Sequence, residues 1–323
     1  MKKHLTPRNL TVTALALAPA YAAACDCGAP HTPSFAGHAQ EPFFASVRTE
    51  YSAGDTVYAG SDRVSNGHGE YLRSRRIAML AGYAFGNGLS LYVAPSHVKR
   101  DYRAVHEGEV ETGSVTGYAD LPFGLSYATC LLHGEKAQLH GTFSAAVTAP
   151  TGDTAPLKEA VEEFEESAAH AGHEHGAVHA HDLAPGTGAW GGMLAGTLAF
   201  EHGDFLAEAG AHYTWRPEGD YGYDFADIFG WNLAAGAFVY DGKQNSVAVL
   251  LTVSGDHAGD DRIRGRIAER TNHDLVYAGP AVRLLSVSGA RLDAGVELPV
   301  YARTGTAHTV SSWRAQAGVS FTF

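Results

Sequence analysis

No apolar run in this chain reaches the roughly 18 residues that a membrane-spanning helix needs, so a membrane protein built from helices is excluded. Charge is scarce as well: Asp, Glu, Lys and Arg together make 18% of the residues, below the quarter usual in soluble proteins. Basic charge is scarcer still. The 23 Lys and Arg are outnumbered by 35 Asp and Glu, and a net charge of -12 argues against nucleic-acid binding by a basic face. Three Cys are too few for a disulfide scaffold. Only 3 Met beside 38 Gly speaks against a helix-rich cytosolic enzyme, while 45% hydrophobic residues speak against wholesale disorder. A membrane protein made of strands remains, because alternating strands keep the mean hydropathy near zero, here -0.13.

What is present begins with an export pattern. Lys2, Lys3 and Arg8 precede the uncharged stretch 11–24, which ends in small residues at Ala22, Ala23 and Ala24. This reads as a secretory signal over 1–24, against the alternative of a buried N-terminal helix. Residues 25–42 then form a periplasmic N-terminal arm. Cys25 stands where bacterial lipoproteins carry a lipid, although the preceding alanines lack the Leu usual in that motif. Cys25 and Cys27 make a C-x-C with His31 and His38 downstream. It reads as a soft-metal site or, preferably, as a strained disulfide or two thiols on a mobile arm.

From Phe43 onward the period is two. Twelve runs place apolar residues at every second position between Gly, Asp, Asn and Pro, among them Phe43–Tyr51, Trp190–Phe200, Phe205–Trp215, Phe229–Val239 and Trp313–Phe323. Connections alternate short and long. The long ones are 53–69, 103–113, 152–187, 216–226, 255–271 and 303–311. The pattern predicts an all-β fold, an antiparallel up-and-down transmembrane β-barrel of about 12 strands over 43–323, in a bacterial cell outer membrane. The apolar parity faces lipid and the polar parity a wet lumen lined by Arg48, Glu50, Arg76, Glu208, His212, Arg283, Asp293, Glu297 and Arg314. Aromatics near strand ends suit interfacial girdles. A soluble two-sheet sandwich is the rival, but its strands would be shorter and its loops would not alternate in length.

Two sets of motifs resemble known proteins. Val319-Ser320-Phe321-Thr322-Phe323 is similar to the C-terminal assembly signal of outer-membrane proteins, which implies outer-membrane lipid and the barrel-assembly machinery as partners. Phe143–Asp153, ending Pro150-Thr151-Gly152-Asp153, then Pro185-Gly186-Thr187-Gly188 and Ala189-Trp190-Gly191-Gly192, with Tyr118-Ala119-Asp120-Leu121 upstream, resemble the transporter-like phenol-degradation MetA-pathway family of outer-membrane proteins. In this chain Tyr118 and Ala119 stand where that family's strand opening has Gly. The resemblance implies an outer-membrane barrel and a channel for small molecules, and no particular solute.

The loop 152–187, placed outside the cell, divides in two. Leu157–Ser167 puts Leu157, Ala160, Val161 and Phe164 on one helical face, consistent with a short helix over the mouth or in the pore, or with a solvated acidic loop. His170, His173, His175, His179 and His181 follow, with Asp182. Clustered imidazoles suit Zn, Cu or Ni, and Gly172 and Gly176 predict a loose, fast-exchanging site; a solubilising low-complexity tip is the alternative. No catalytic motif stands out, and no cofactor is required. His212 with Glu208 is the nearest enzyme-like pair, which would make a rim-sited lipid hydrolase. The reading is a non-enzymatic channel for a small solute, linked to capture of a metal ion by the His-rich loop. The alternative is a metal-binding surface barrel without transport.

Overall fold

The computed structural model describes residues 42–106, 109–134, 137–169, 176–268, 271–286 and 288–323, with two short paired strands at Leu15–Leu17 and Pro33–Phe35. The expected signal cleavage site, Cys25, Cys27, His170, His173 and His175 lie outside the described residues. So does most of the expected arm.

The barrel wall is built from β1 (Phe43–Gly60), β2 (Tyr71–Ala84), β3 (Leu89–Val93), β4 (Ser96–His106), β5 (Glu109–Tyr118), β6 (Leu121–His133) and β7 (Ala137–Ala149). After the long loop come β8 (Gly191–His202), β9 (Phe205–Trp215), β10 (Ile228–Asp241), β11 (Asn245–Ala258), β12 (His273–Ser286) and β13 (Arg291–Thr322). Every pairing is antiparallel, and the ring closes where β1 pairs with both β2 and β13. Closure satisfies every strand edge, as a hydrocarbon environment demands.

Two features bring the wall to twelve spans. β3 and β4 together line β2 and so form one crossing kinked at Ala94-Pro95, where Pro removes a ladder donor. β5 and β6 likewise form one crossing, kinked at Ala119-Asp120. β13, 32 residues long, doubles back on itself: Arg291–Thr304 pairs with β12, His308–Thr322 pairs with β1, and Thr322 returns beside Gly289.

One parity of each strand is exposed and apolar, with Val47, Met79, Leu125, Phe143, Leu194, Leu233, Leu251 and Leu298 on the outside. Buried Arg76, Glu208, Arg283, Glu297 and Arg314 occupy the other. A soluble barrel would invert this, so the outer face is a lipid face. At the short-turn end Phe43 packs edge-on to Tyr83 and Tyr83 on Phe85, while Phe43 stacks on Phe323 at 6.1 Å. Phe43 and Phe323 also exchange backbone hydrogen bonds of 3.0 and 2.9 Å, so the last residue seals the wall. At the opposite end Tyr51 meets Trp313 at 5.0 Å.

Several expected long loops are strand instead. Residues 103–106 and 109–113 belong to the hairpin β4–β5, 53–60 to β1 and 303–311 to β13. Here the strands outrun the bilayer, so no face needs to be apolar, and Lys99-Arg100-Asp101-Tyr102-Arg103 pairs with Thr112–Thr116 without alternating hydropathy. The wall thus extends above the membrane as a polar collar around the mouth.

Candidate functional site

The long loop folds into that collar. Helix α1 spans Ala155–Ala169. It opens where Asp153 Oδ1 accepts the Ala155 N–H at 3.0 Å, satisfying one free donor of the first turn. Its apolar face, Leu157, Ala160, Val161 and Phe164, packs against Tyr223, Phe225, Ile263 and Ala268 from the two neighbouring loops. Leu157 is fully buried. Outside this small core Arg264 pairs with Glu165, and the Arg266 guanidinium lies 5.1 Å over the Phe164 ring.

Beyond the helix the chain passes along the inner wall. Val178 and Leu183 pack with Leu72, flanked by Tyr102, Ala104 and Val115. Four polar ties hold this segment. Glu70 Oε1 accepts the Ala177 N–H at 2.7 Å, the Ala177 carbonyl accepts Thr309 N–H at 2.8 Å, and Arg100 Nη1 donates to the Ala184 carbonyl at 2.7 Å. The fourth tie is a knot at Asp120. Its Oδ1 accepts Gly152 N–H at 2.9 Å, and its Oδ2 accepts both the N–H and the Oγ1–H of Thr187 at 2.7 Å. The two ends of the loop touch there: a Cβ on Gly152 would lie 2.5 Å from Gly186 Cα. Only Gly at both positions allows the crossing.

The resulting plug carries three of the predicted metal-ligating residues. From Gly176 onward the segment is held in place: Asp182 is buried, and a Cβ on Gly176 would lie 2.4 Å from Glu70 Oε1 and 2.6 Å from the Val105 carbonyl oxygen. The His179 and His181 rings stack with centroids 5.4 Å apart. A residue absent from the predicted set joins them: His308 of β13, 5.5 Å from His179 and 6.5 Å from His181. Asp182 Oδ2 accepts the His179 backbone N–H at 3.0 Å, while its Oδ1 faces His181 Nε2 at 3.4 Å and His308 Nε2 at 3.6 Å. Burial, with His181 and His308 alongside, pushes the His179 imidazole down to about 3. Burial alone would raise Asp182, but the surrounding imidazoles and the His179 N–H outweigh it and hold the carboxyl below its usual range. No sequence signal short of a fold could have linked His308 to His181.

Below the plug, the predicted lumen residues lie on the inward parity and are largely spent on one another. Arg283 donates to both oxygens of Glu208 and, at 2.9 Å, to Asp293, which also holds Arg291. Glu297 accepts from Thr252 at 2.7 Å, Ser254 at 2.9 Å and Arg314 at 3.1 Å, and the Arg314 guanidinium lies 3.4 Å over Tyr277. Arg48 and Glu50 stand 3.7 Å apart, and Arg76 donates to Ser96 at 3.3 Å. His212 crosses Gly230, where a Cβ would come within 2.1 Å of its ring. Between Arg48, Arg283, Asp293 and Gln316 the interior leaves a cavity of about 20 Å³, room for one water.

No family model matches the chain, and no curated protein matches it. Solved structures do. The COG4313 outer membrane channel from Pseudomonas putida F1 superposes with a TM-score of 0.60 at 15% identity, covering 88% of this chain and 96% of that one. The β domain of the Bordetella autotransporter BrkA gives 0.47 at 13% identity, over 88% and 100%. The NanC porin gives 0.40 at 10%, over 86% and 100%. With its lipid-facing wall and closed ring, the chain is a β-barrel of the bacterial outer membrane.

Proposed function

We propose that this chain is an outer-membrane channel for small solutes whose mouth is closed by its own folded-in loop. The observation that carries the reading is the pairing of a closed wall with a plug tied to the collar and ion pairs across the interior below it. A barrel that served only as an anchor would not need both. Paired charges favour polar or amphiphilic solutes that can exchange hydrogen bonds with Arg and carboxylate groups as they pass. The reading is supported by the resemblance of the Pro150–Asp153 and Pro185–Gly188 motifs to the phenol-degradation MetA-pathway family, and a channel is what the superposed Pseudomonas putida protein is called. The test is conductance of the refolded full chain in planar bilayers, compared with a chain lacking 155–184. Expected are small, infrequent openings that become larger or longer on deletion. If neither form conducts, the channel reading fails.

A second reading, metal capture by the loop, is favoured by His179, His181 and Asp182 lying side by side in the plug. The hydrolase reading loses its carboxylate, since Arg283 takes both oxygens of Glu208.

A further inference from the structure

The metal half of that reading becomes specific once His308 is included. Three imidazoles and one carboxylate lie near one another, drawn from two parts of the chain more than a hundred residues apart, at the join between plug and wall. Asp182 Oδ1 lies 3.4 and 3.6 Å from the Nε2 atoms of His181 and His308. Two ligands of a tetrahedral ion with bonds near 2.0–2.1 Å stand about 3.3–3.5 Å apart. The carboxylate is held from behind by the His179 N–H, which is how supporting hydrogen bonds aim a metal-binding oxygen. His179 Nε2 is shielded from solvent and has no hydrogen-bond partner of good geometry among the described residues, while the ring also meets the Ala307 backbone. As the side chains stand, no group of three described donors meets at one point. The stacked rings must turn toward Asp182 Oδ1 to close the site.

We infer that His179, His181, His308 and Asp182 form a site for a divalent transition ion of the Zn²⁺ class, which ties the plug to the last barrel hairpin. Three nitrogen ligands with one oxygen suit Zn²⁺ and disfavour Ca²⁺ or Mg²⁺, which take oxygen ligands. The site rests on the metal reading and not on transport. It differs from the predicted tip site in that His308 replaces His170, His173 and His175.

The experiment is calorimetric titration of ZnCl₂ into the full chain in detergent micelles, alongside a chain with His170, His173 and His175 changed to Ala. Both should bind one tight equivalent. H308A should weaken that equivalent by at least about 100-fold, since losing even a hydrogen-bond partner of a ligand costs about 10–100-fold. H308Q and D182N, with strand content checked by circular dichroism, separate ligand loss from misfolding, and each should weaken binding in a chain that is still folded. Tight binding that survives H308A, H308Q and D182N overturns the site. So does binding that disappears with the three tip histidines, which would place the metal on the tip instead. Conductance plays no part in these outcomes, so failure of the channel reading is read separately.

Discussion

The Asp120 knot gives the sharpest perturbation. Changing Asp120 to Ala removes the acceptor of three hydrogen bonds, from Gly152 N–H, Thr187 N–H and Thr187 Oγ1. Each such bond to a charged acceptor contributes about 1.5–3 kcal/mol, and bonds that share one carboxylate do not add fully. A total of about 3–5 kcal/mol follows, or about two to three and a half decades in the ratio of docked to released loop. The twelve spans keep their ladders, so the cost falls on the plug and not on the wall. Hydrogen exchange read by mass spectrometry on micelle-bound protein checks this. Amides of 176–187 should lose protection by that factor, while those of β9–β11 should not change. Single-channel recording should show longer openings in parallel. Unchanged protection of 176–187 would refute the claim that Asp120 holds the loop; uniform loss across the wall would refute the claim that plug and wall are energetically separate.

Three further outcomes follow from the same geometry. Gly152→Ala should release the loop much as Asp120→Ala does, because the new Cβ would sit 2.5 Å from Gly186 Cα, and protease cutting within 152–187 should report it. Leu157→Ala should cost about 2–5 kcal/mol of helix docking, as for other fully buried leucines, seen as faster exchange in α1 with urea-unfolding of the wall unchanged. Leu251→Arg, on the lipid face, should destabilise refolding into vesicles by about 2–4 kcal/mol if Leu251 is near the midplane, whereas Leu251→Ala should cost far less; equal costs would argue against lipid contact there.

The interior networks make one more prediction, and its sign separates pairing from packing. Glu297→Ala leaves Arg314 buried without its carboxylate, and breaking such a pair costs about 3–5 kcal/mol. The double change Glu297→Leu with Arg314→Leu removes both charges and should recover most of that loss, since desolvation of the pair roughly cancels its attraction. Urea midpoints of the three proteins in one vesicle type decide it. A double variant no better than Glu297→Ala would mean that Arg314 contributes mainly by its contact with Tyr277.

How much of this was legible in the sequence depends on what each segment faces. Within the bilayer, hydrocarbon on one side and water on the other impose strict alternation, so Phe43–Tyr51 or Phe205–Trp215 declare themselves as strands. Above it the constraint lapses, and 103–113 looks like a loop although its backbone is a hairpin. The face of α1 was readable because Leu157, Ala160, Val161 and Phe164 must all meet one small core. His308 was not, because its link to His181 passes through the closure of the whole ring. The inward flexure of 176–187 was hidden for a related reason: glycine looks like freedom in sequence, whereas Gly176 permits a close approach to Glu70 and Val105.

The same distinction explains the Gly-rich motifs. In sequence, Pro150–Asp153 and Pro185–Gly188 carry a family resemblance, and Tyr118–Leu121 is similar to that family's strand opening; none of them says what the residues do. In the fold all three meet at one carboxylate, with Gly152 and Gly186 crossing because neither carries a Cβ, and Thr187 supplying two donors. Their chemistry is that of anchorage: the Asp120 carboxylate is spent on Gly152 and Thr187. A chain that shared them would be expected to share a tethered plug, whatever it carried. Solute choice would then reside in the interior set around Arg48, Arg283 and Arg314, which the motifs do not include. Exchanging Asp120 should therefore alter how often the channel opens and leave its ion selectivity unchanged, while exchanging Arg48 should do the reverse. Reversal potentials under a salt gradient measure the second quantity independently of the first, and a selectivity change in Asp120→Ala would show that the knot itself lines the path.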